Sequence, residues 1–331
     1  MSHSLLPILT QLQSLSSLRI LVVGDIMLDE FHWCHVNRIS PEAPVPVCNI
    51  QNTTLAPGGA ANVAANLASL NVAVDLVGFL GSDSSGDKLI KTLHDHHINT
   101  DNLIKTNQPT ILKSRVIAHQ QHVARIDRDP PSHYSDHDSQ SLLKQIQHSI
   151  KDYDAVIISD YLKGLLTPAI TQAIIQSAKE AGCLVVVDPK GDSYDKYQNS
   201  DYLTPNYKEF CLATKSSYTN DDQIKAAAQS LRDQLKLDTL IITRSEKGMS
   251  IVTSDSFDTI PTQAQEVFDI TGAGDTAIAC LAIGLCLNLS AHNAATLANY
   301  AAGIVVSKVG TAFVTPDELC SVINHDSATK S

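Results

Sequence analysis

Seven consecutive residues, Asp269-Ile270-Thr271-Gly272-Ala273-Gly274-Asp275, combine a place for an anion with a base beside it. Gly272, Ala273 and Gly274 are too small to hold a ligand away from the backbone, and the small apolar residues after Thr276 have helical character. A helix beginning there aims several unpaired N–H groups at an incoming negative charge, for which phosphate is the natural guest. Asp275 falls in the first turn, where the helix dipole favours a carboxylate and an alcohol next to the phosphate is within reach. That pairing is the chemistry of phosphoryl transfer to a hydroxyl. A tight turn uses the same small residues, so the rest of the chain has to decide.

A second group lies far upstream. Pro57-Gly58-Gly59-Ala60-Ala61-Asn62 opens another helix, with glycines that let a ligand approach the backbone and an Asn62 amide that offers a polyol both donor and acceptor. A helix-start turn with a packing glycine is the plainer reading of these residues. Asp25 closes the apolar run 20–23 at the ligand edge of its strand, and Asp29 is expected either to assist it or to anchor a turn.

These residues need a scaffold that gathers them at one edge. Buried-type strands are expected at 20–23, 72–77, 155–159, 184–187 and 240–243, several of them closed by Asp25, Asp160, Asp188 or Arg244. Helices are expected between them at 60–70, 168–181 and 224–235. The alternation predicts an α/β fold, a doubly wound, mostly parallel sheet with helices on both faces and ligands at the carboxyl ends of its strands. Segments 31–50 and 108–129 have β-like composition with no accompanying helix, as a small antiparallel β lid would. The expected divisions are an N-terminal helical extension over 1–17, a main domain over 18–320 and a C-terminal tail over 321–331.

Composition excludes several classes. A chain of 331 residues, 43% hydrophobic, buries a large core, and its net charge of −11 with no basic block disfavours nucleic acid and anionic membrane. Apolar runs fall short of the roughly 20 residues of a membrane helix. The seven cysteines contain no Cys-x-x-Cys and read as reduced residues of a cytoplasmic protein. Leu5, Leu12 and Leu15 suit an amphipathic helix better than a signal peptide, because Pro7 interrupts them and no basic residues precede them. His94, His96 and His97 have no metal-ligand spacing and suit a helix end, and His119 and His122 are expected to face water.

Gly58 to Asn62 with Gly81 downstream, together with Asp269 to Asp275, resemble the two signatures of the ribokinase-like (PfkB) carbohydrate kinases. Asn71 departs from the small residue usual in the first signature, at what would be a helix end. Asn206-Tyr207-Lys208-Glu209 is similar to the family's Asn-x-x-Glu motif, and Thr243-Arg244-Ser245-Glu246-Lys247-Gly248 to its nucleotide-binding strand and turn. The resemblance implies a sugar kinase with Asp275 as general base and Gly272, Ala273 and Gly274 as anion hole. It implies ATP held by Asn206, Tyr207, Lys208, Glu209, Thr243, Gly248, Gly272, Gly274 and Asn299, and Mg²⁺ organised through water by Glu209. Asp269 with the segment 305–311 would take a monovalent cation such as K⁺. Asp25, Gly58, Gly59 and Asn62 would hold the sugar.

A narrower match lies within that family. Residues 38–47, Ser159-Asp160-Tyr161 with Lys163-Gly164, and Asp188-Pro189-Lys190-Gly191 closely resemble the kinase domain of D-glycero-β-D-manno-heptose 7-phosphate kinases, over about residues 18–320. Bifunctional members continue into a nucleotidyltransferase domain with a His-x-Gly-His motif. This sequence carries no such motif and resembles a stand-alone kinase. The resemblance implies transfer of the ATP γ-phosphoryl group to the anomeric hydroxyl, giving the 1,7-bisphosphate for ADP-heptose and lipopolysaccharide core synthesis. A substrate with its own phosphate needs cations at its far end, and Arg38, Lys113, Arg115, Arg125, Lys163 and Lys190 are available, Lys190 first and Arg38 second. Lids of this kind pair between subunits, so a homodimer through the lid is expected. Another PfkB-type kinase and a non-catalytic sensor are the competing readings, the second opposed by the intact Asp275 and glycines. A Rossmann oxidoreductase fails because Gly24-Asp25-Ile26-Met27 stands where Gly-x-Gly-x-x-Gly would.

Overall fold

Runs of Val, Ile and Leu too apolar to face water on either side form the centre of the protein. In the computed structural model, residues 5, 9–12, 15–119, 121–130, 134–263, 267–308 and 310–329 are described. A single turn α1 (Leu9–Leu12) precedes β1 (Arg19–Gly24). A long hairpin of β2 (Ile26–Ile39) and β3 (Pro46–Gly59) then leads into α2 (Ala60–Ser69), β4 (Ala73–Gly81), α3 (Ser84–Asp95) and β5 (Leu103–Thr106). A second hairpin, β6 (Ile111–Ala118) and β7 (Gln121–Arg128), is followed by α4 (Asp136–Ser149), β8 (Ala155–Ser159), α5 (Pro168–Ala181), β9 (Leu184–Asp188) and β10 (Tyr202–Leu203). Next come α6 (Tyr207–Ala213), α7 (Asp221–Leu235), β11 (Thr239–Thr243), β12 (Met249–Val252) and β13 (Phe257–Ile260), and the chain closes with α8 (Ala273–Cys286), α9 (Ala291–Val306) and α10 (Pro316–Thr329).

Among the described residues nine strands form the main sheet, in the order β13-β12-β11-β10-β9-β8-β1-β4-β5. From β11 to β5 the neighbours are parallel, and β12 and β13 add an antiparallel edge. Alternation along each strand divides its side chains between two cores. Ile20, Val22, Ile157 and Val186 pack toward α2, α8 and α9, whereas Leu21, Val23, Val156 and Ile158 pack toward α4, α5 and α7. Local signals fix the helix ends as well. In α5, Thr167 caps the start by accepting from the Ile170 N–H, Pro168 takes the first turn, and Gly182 at φ 71° ends it.

The lid is a separate four-stranded sheet, β3-β2-β6-β7. Each hairpin is antiparallel, and the inner strands β2 and β6 join them in parallel, from Met27 opposite Ile111 to Cys34 opposite Ala118. Both lid strands of the first hairpin reach deeper than segment 31–50, because Ile26, Met27 and Leu28 are buried and β3 runs on to Gly58-Gly59. The lid therefore grows directly out of the edge that carries Asp25.

The tail expected from residue 321 is instead the second half of α10, held down because Leu319, Cys320 and Ile323 recur at helical spacing on its buried face. At the other end Leu5, Leu12 and Leu15 are buried in the same core, and the helix expected over 1–17 is described only at Leu9–Leu12, the remainder of that segment lying largely outside the described residues. All seven cysteines are free thiols. Among the described residues no helix is long and apolar enough to cross a membrane.

Candidate active site

Asp25 follows β1, Asp160 follows β8, Asp188 ends β9 and Thr243 ends β11, so the carboxyl edge of the sheet carries the polar groups. A cavity of about 190 Å³ opens there, between that edge and the start of α8.

The start of α8 is built around Gly272, whose φ of 81° lies in the left-handed region and whose hypothetical Cβ would stand 2.9 Å from Asn62 Nδ2. The Ala273 N–H donates to the Ile270 carbonyl at 3.3 Å, while the N–H groups of Gly274 and Asp275 meet no acceptor among the described residues. Beyond its own helix and chain neighbours nothing lies within 4 Å of where a Cβ on Gly274 would sit, and Gly274 lines the cavity. Asp275 is buried. Its Oδ2 accepts from Asn62 Nδ2 at 2.6 Å and its Oδ1 accepts from the Tyr161 hydroxyl at 2.8 Å. Burial pushes its carboxyl up to about 6, further raised by Asp29 and opposed by those two hydrogen bonds and by Lys113. With its carboxyl at about 6, Asp275 is mostly ionised at neutral pH and can accept a proton.

On the lid side, Asp25 Oδ2 accepts from the backbone N–H groups of Tyr161 at 2.9 Å and Lys163 at 3.0 Å. Its Oδ1 is buried with no hydrogen-bond partner among the described residues, which marks it for a ligand hydroxyl. Burial, and then the charge of Asp160, push Asp25 up to about 6. Asp29 is paired with Arg115 at 2.8 Å. The strand β3 crosses these carboxylates so closely that a Cβ on Gly58 would lie 2.8 Å from Asp29 Oδ2, and one on Gly59 2.4 Å from the Asp25 carbonyl oxygen.

The cations expected at the substrate phosphate are distributed differently. Lys163 pairs with Asp129 at 2.6 Å, Arg125 with Asp127 at 2.9 Å, and Arg38 is exposed near the outer end of β2. Lys190 forms an ion pair with Glu209 and lies 6.0 Å from the centre of the Tyr161 ring, so it faces the nucleotide-type motif rather than the lid. Asp188 and Asp275 add their attraction to that of Glu209, so Lys190 is held among three carboxylates of the cavity wall. Lys113 on β6 is half-buried, 5.1 Å from the same ring, and burial lowers its pKa.

Around the other half of the cavity, Asn206 and Glu209 cap α6 reciprocally. The Glu209 N–H donates to Asn206 Oδ1 at 3.0 Å and the Asn206 N–H donates to Glu209 Oε2 at 2.9 Å. Thr243, Met249 and Ala298 line the wall, with Gly248 in the turn between β11 and β12. Three expected nucleotide residues are turned elsewhere. Tyr207 lines a second cavity and donates its hydroxyl to the Tyr218 carbonyl at 2.9 Å, Lys208 is exposed, and Asn299 spends its amide on the Pro261 carbonyl at 2.7 Å. Burial with Asp275 and Glu209 nearby raises the Asp188 carboxyl well above its usual range. Asp269 accepts from the N–H groups of Thr271 at 2.9 Å and Gly310 at 3.2 Å, joining the anion-hole segment to residues 305–311, of which Val309 lies outside the described residues.

Sequence reasoning gave Tyr161 no role, although its hydroxyl meets Asp275. It also missed the buried frame beneath it, in which Asp160 accepts from the Tyr197 hydroxyl at 2.7 Å, from the Leu162 N–H at 2.7 Å and from Lys196. Position after a strand end was the available signal; loop residues carry no periodicity to raise them further.

The doubly wound sheet, the strand lid and the helix start beside a buried carboxylate agree with the class that the family comparison assigns, the carbohydrate kinases. Residues 17–318 match the pfkB family carbohydrate kinase profile, and the chain belongs to that family. It is 43% identical over 312 residues to the bifunctional protein HldE of Citrifermentans bemidjiense, covering 94% of this chain and 64% of that protein. The chain thus spans a little under two thirds of the length of the curated relatives it matches. In fold it is similar to phosphofructokinase-2 from Escherichia coli in complex with potassium, with a TM-score of 0.79 at 18% identity over 94% of this chain and 99% of that one. It is also similar to Arabidopsis thaliana ribokinase complexed with ribose and ATP, with a TM-score of 0.74 at 21% identity over 92% and 98%. At these identities the likeness shows the fold alone.

Proposed function

We propose that the protein transfers the γ-phosphoryl group of ATP to the anomeric hydroxyl of D-glycero-β-D-manno-heptose 7-phosphate, with residues 18–320 as the kinase domain. One observation carries the reaction type: a buried carboxylate, Asp275, gripped on both oxygens by Asn62 and Tyr161 at a helix start whose next amides are open. The substrate rests on the 43% identity to a protein named HldE and on the motifs at 38–47 and 188–191.

Asp275 takes the proton of the acceptor hydroxyl as that oxygen bonds to the γ-phosphorus and the bond to the β-phosphate oxygen breaks, releasing ADP. The N–H groups of Gly274 and Asp275, at the positive end of α8, stabilise charge on the transferring group. Asp25, with its unpartnered Oδ1, and Asn62 orient the sugar. Asp188 and Glu209 place two carboxylates on the cavity wall, a set of oxygen donors that would suit a hard divalent cation keeping much of its water, and such a cation would itself draw Asp188 into its ionised form. There the two side chains would hold Mg²⁺, whose charge would neutralise the nucleotide phosphates. Asp269 and the segment 305–311 suit K⁺, and the buried Thr311 hydroxyl, without a hydrogen-bond partner among the described residues, supports that fit. The lid excludes water when closed. Its outward Ile39, Val45, Ile50 and Ile126, each more than half exposed, support pairing of two copies through the lid.

An ADP-release assay comparing heptose 7-phosphate, fructose 6-phosphate and ribose tests the assignment. The heptose phosphate is expected to be strongly preferred; preference for either competitor overturns the substrate and leaves the reaction type standing.

A further inference from the structure

We propose that Tyr161 is a positioning residue for this phosphoryl transfer: its hydroxyl aims the Asp275 carboxylate and its backbone N–H holds Asp25 on the sugar side. The inference rests on the function proposed above. Tyr161 thus touches both the base and the group that orients the acceptor, through contacts of 2.8 Å and 2.9 Å, beside the Asn62 bond to Asp275 and the Lys163 N–H bond to Asp25.

The ring has little freedom. Lys113 and Lys190 lie 5.1 Å and 6.0 Å from its centre, within cation–π range. Below it, Asp160 accepts from the Leu162 N–H, the Tyr197 hydroxyl and Lys196, and Leu162 is held at a left-handed φ of 55°. The Tyr197 hydroxyl also accepts from the Lys190 N–H at 3.0 Å, which joins the loops after β8 and β9 into one unit. A hydroxyl fixed in this way is a stationary donor, and one hydrogen bond to each Asp275 oxygen leaves further lone pairs on both for the acceptor proton.

The groups that act on Asp275 come from every side of the cavity: Asn62 of α2, Asp29 of β2, Lys113 of β6, Tyr161 after β8, and Asp188 and Lys190 at the end of β9. Among the described residues, Asn62 and Tyr161 are the two that donate hydrogen bonds to it. Burial and the neighbouring carboxylates, Asp275 first among them, raise the Tyr161 hydroxyl well above its ordinary range, so it remains a donor throughout the working pH range. A donor to the ionised form lowers a carboxyl pKa; its removal therefore raises that pKa.

The test is the pH profile of turnover for Tyr161→Phe beside the parent enzyme, with Asp275→Asn as control. The acid limb is expected to move up by about one unit, and kcat at pH 7.5 to fall about tenfold or more while KM for ATP stays within about twofold. An unmoved limb with unchanged kcat overturns the inference. So does a lower KM for the sugar with unchanged kcat, which would make the hydroxyl a gate that the substrate displaces. Should Tyr161→Phe fail to fold, 3-fluorotyrosine at position 161 keeps the shape and strengthens the donor. The limb then moves to lower pH, and an unmoved limb again overturns the inference. Turnover surviving Asp275→Asn sinks the base assignment itself, a failure separable from that of Tyr161.

Discussion

Asn62 and Asp275 stand 213 positions apart in the chain and meet at 2.6 Å, side chain to side chain, in a buried site. The contact joins the start of α2 to the start of α8. A second buried tie runs parallel to it, where Thr276 Oγ1 donates to Asn66 Oδ1 at 2.7 Å. If Asp275 is the base, Asp275→Asn retains this packing and loses the proton acceptor. Turnover is expected to fall by orders of magnitude, with ATP affinity by titration calorimetry nearly unchanged; retained turnover would refute the role.

The same carboxylates should make stability depend on pH in a defined direction. Asp25 and Asp275 rise from 3.8 to about 6 on folding, so the native state holds protons that the unfolded chain has released. Their contribution to stability is full below about pH 4 and is lost as pH rises through about 6, up to about 3 kcal/mol for each group. Neither Asp25→Asn nor Asp275→Asn can lose it. Melting temperatures of the variants relative to the parent should therefore climb between pH 4.5 and pH 7.5. A flat difference across that range would contradict the buried-charge account.

Two glycines in one motif should respond differently to alanine. At Gly272 the positive φ and the 2.9 Å approach to Asn62 Nδ2 make Gly272→Ala destabilising by about 1 kcal/mol or more, with activity lost as Asn62 is pushed aside. At Gly274 the added methyl meets no protein atom. Gly274→Ala should keep or raise the melting temperature yet weaken nucleotide binding, because the methyl occupies the path to the open amide. Equal effects on stability at both positions would count against the anion hole.

Charge on the outer face of the lid should separate paired subunits. Ile50 and Ile126 are 58% and 63% exposed, and Ile50→Glu with Ile126→Glu places carboxylates on that apolar face. Light scattering is expected to find a dimer for the parent and a monomer for the double variant. A parent that is monomeric at micromolar concentration removes the proposal.

The sheet was legible because its strands are uninterrupted apolar runs: residues 155–159 and 184–187 mark β8 and all but the last residue of β9, and the helix expected over 168–181 is α5. Asp275 and Asn62 were legible through their glycine neighbours. The parallel join of β2 to β6 was not, since pairing of distant strands leaves no local pattern. Side-chain partners of long flexible residues were equally hidden: nothing in the spacing of Lys190 says that Glu209 will hold it, or that Asn299 will turn to Pro261.

The parallel join has a consequence during synthesis. When β2 leaves the ribosome its outer edge has no partner, and β3, α2, β4, α3 and β5 must all follow before β6 arrives to cover it. Through that interval the edge of β2 from Met27 to Cys34 displays unpaired amides and carbonyls, a template for wrong strand pairing that the arrival of β6 removes.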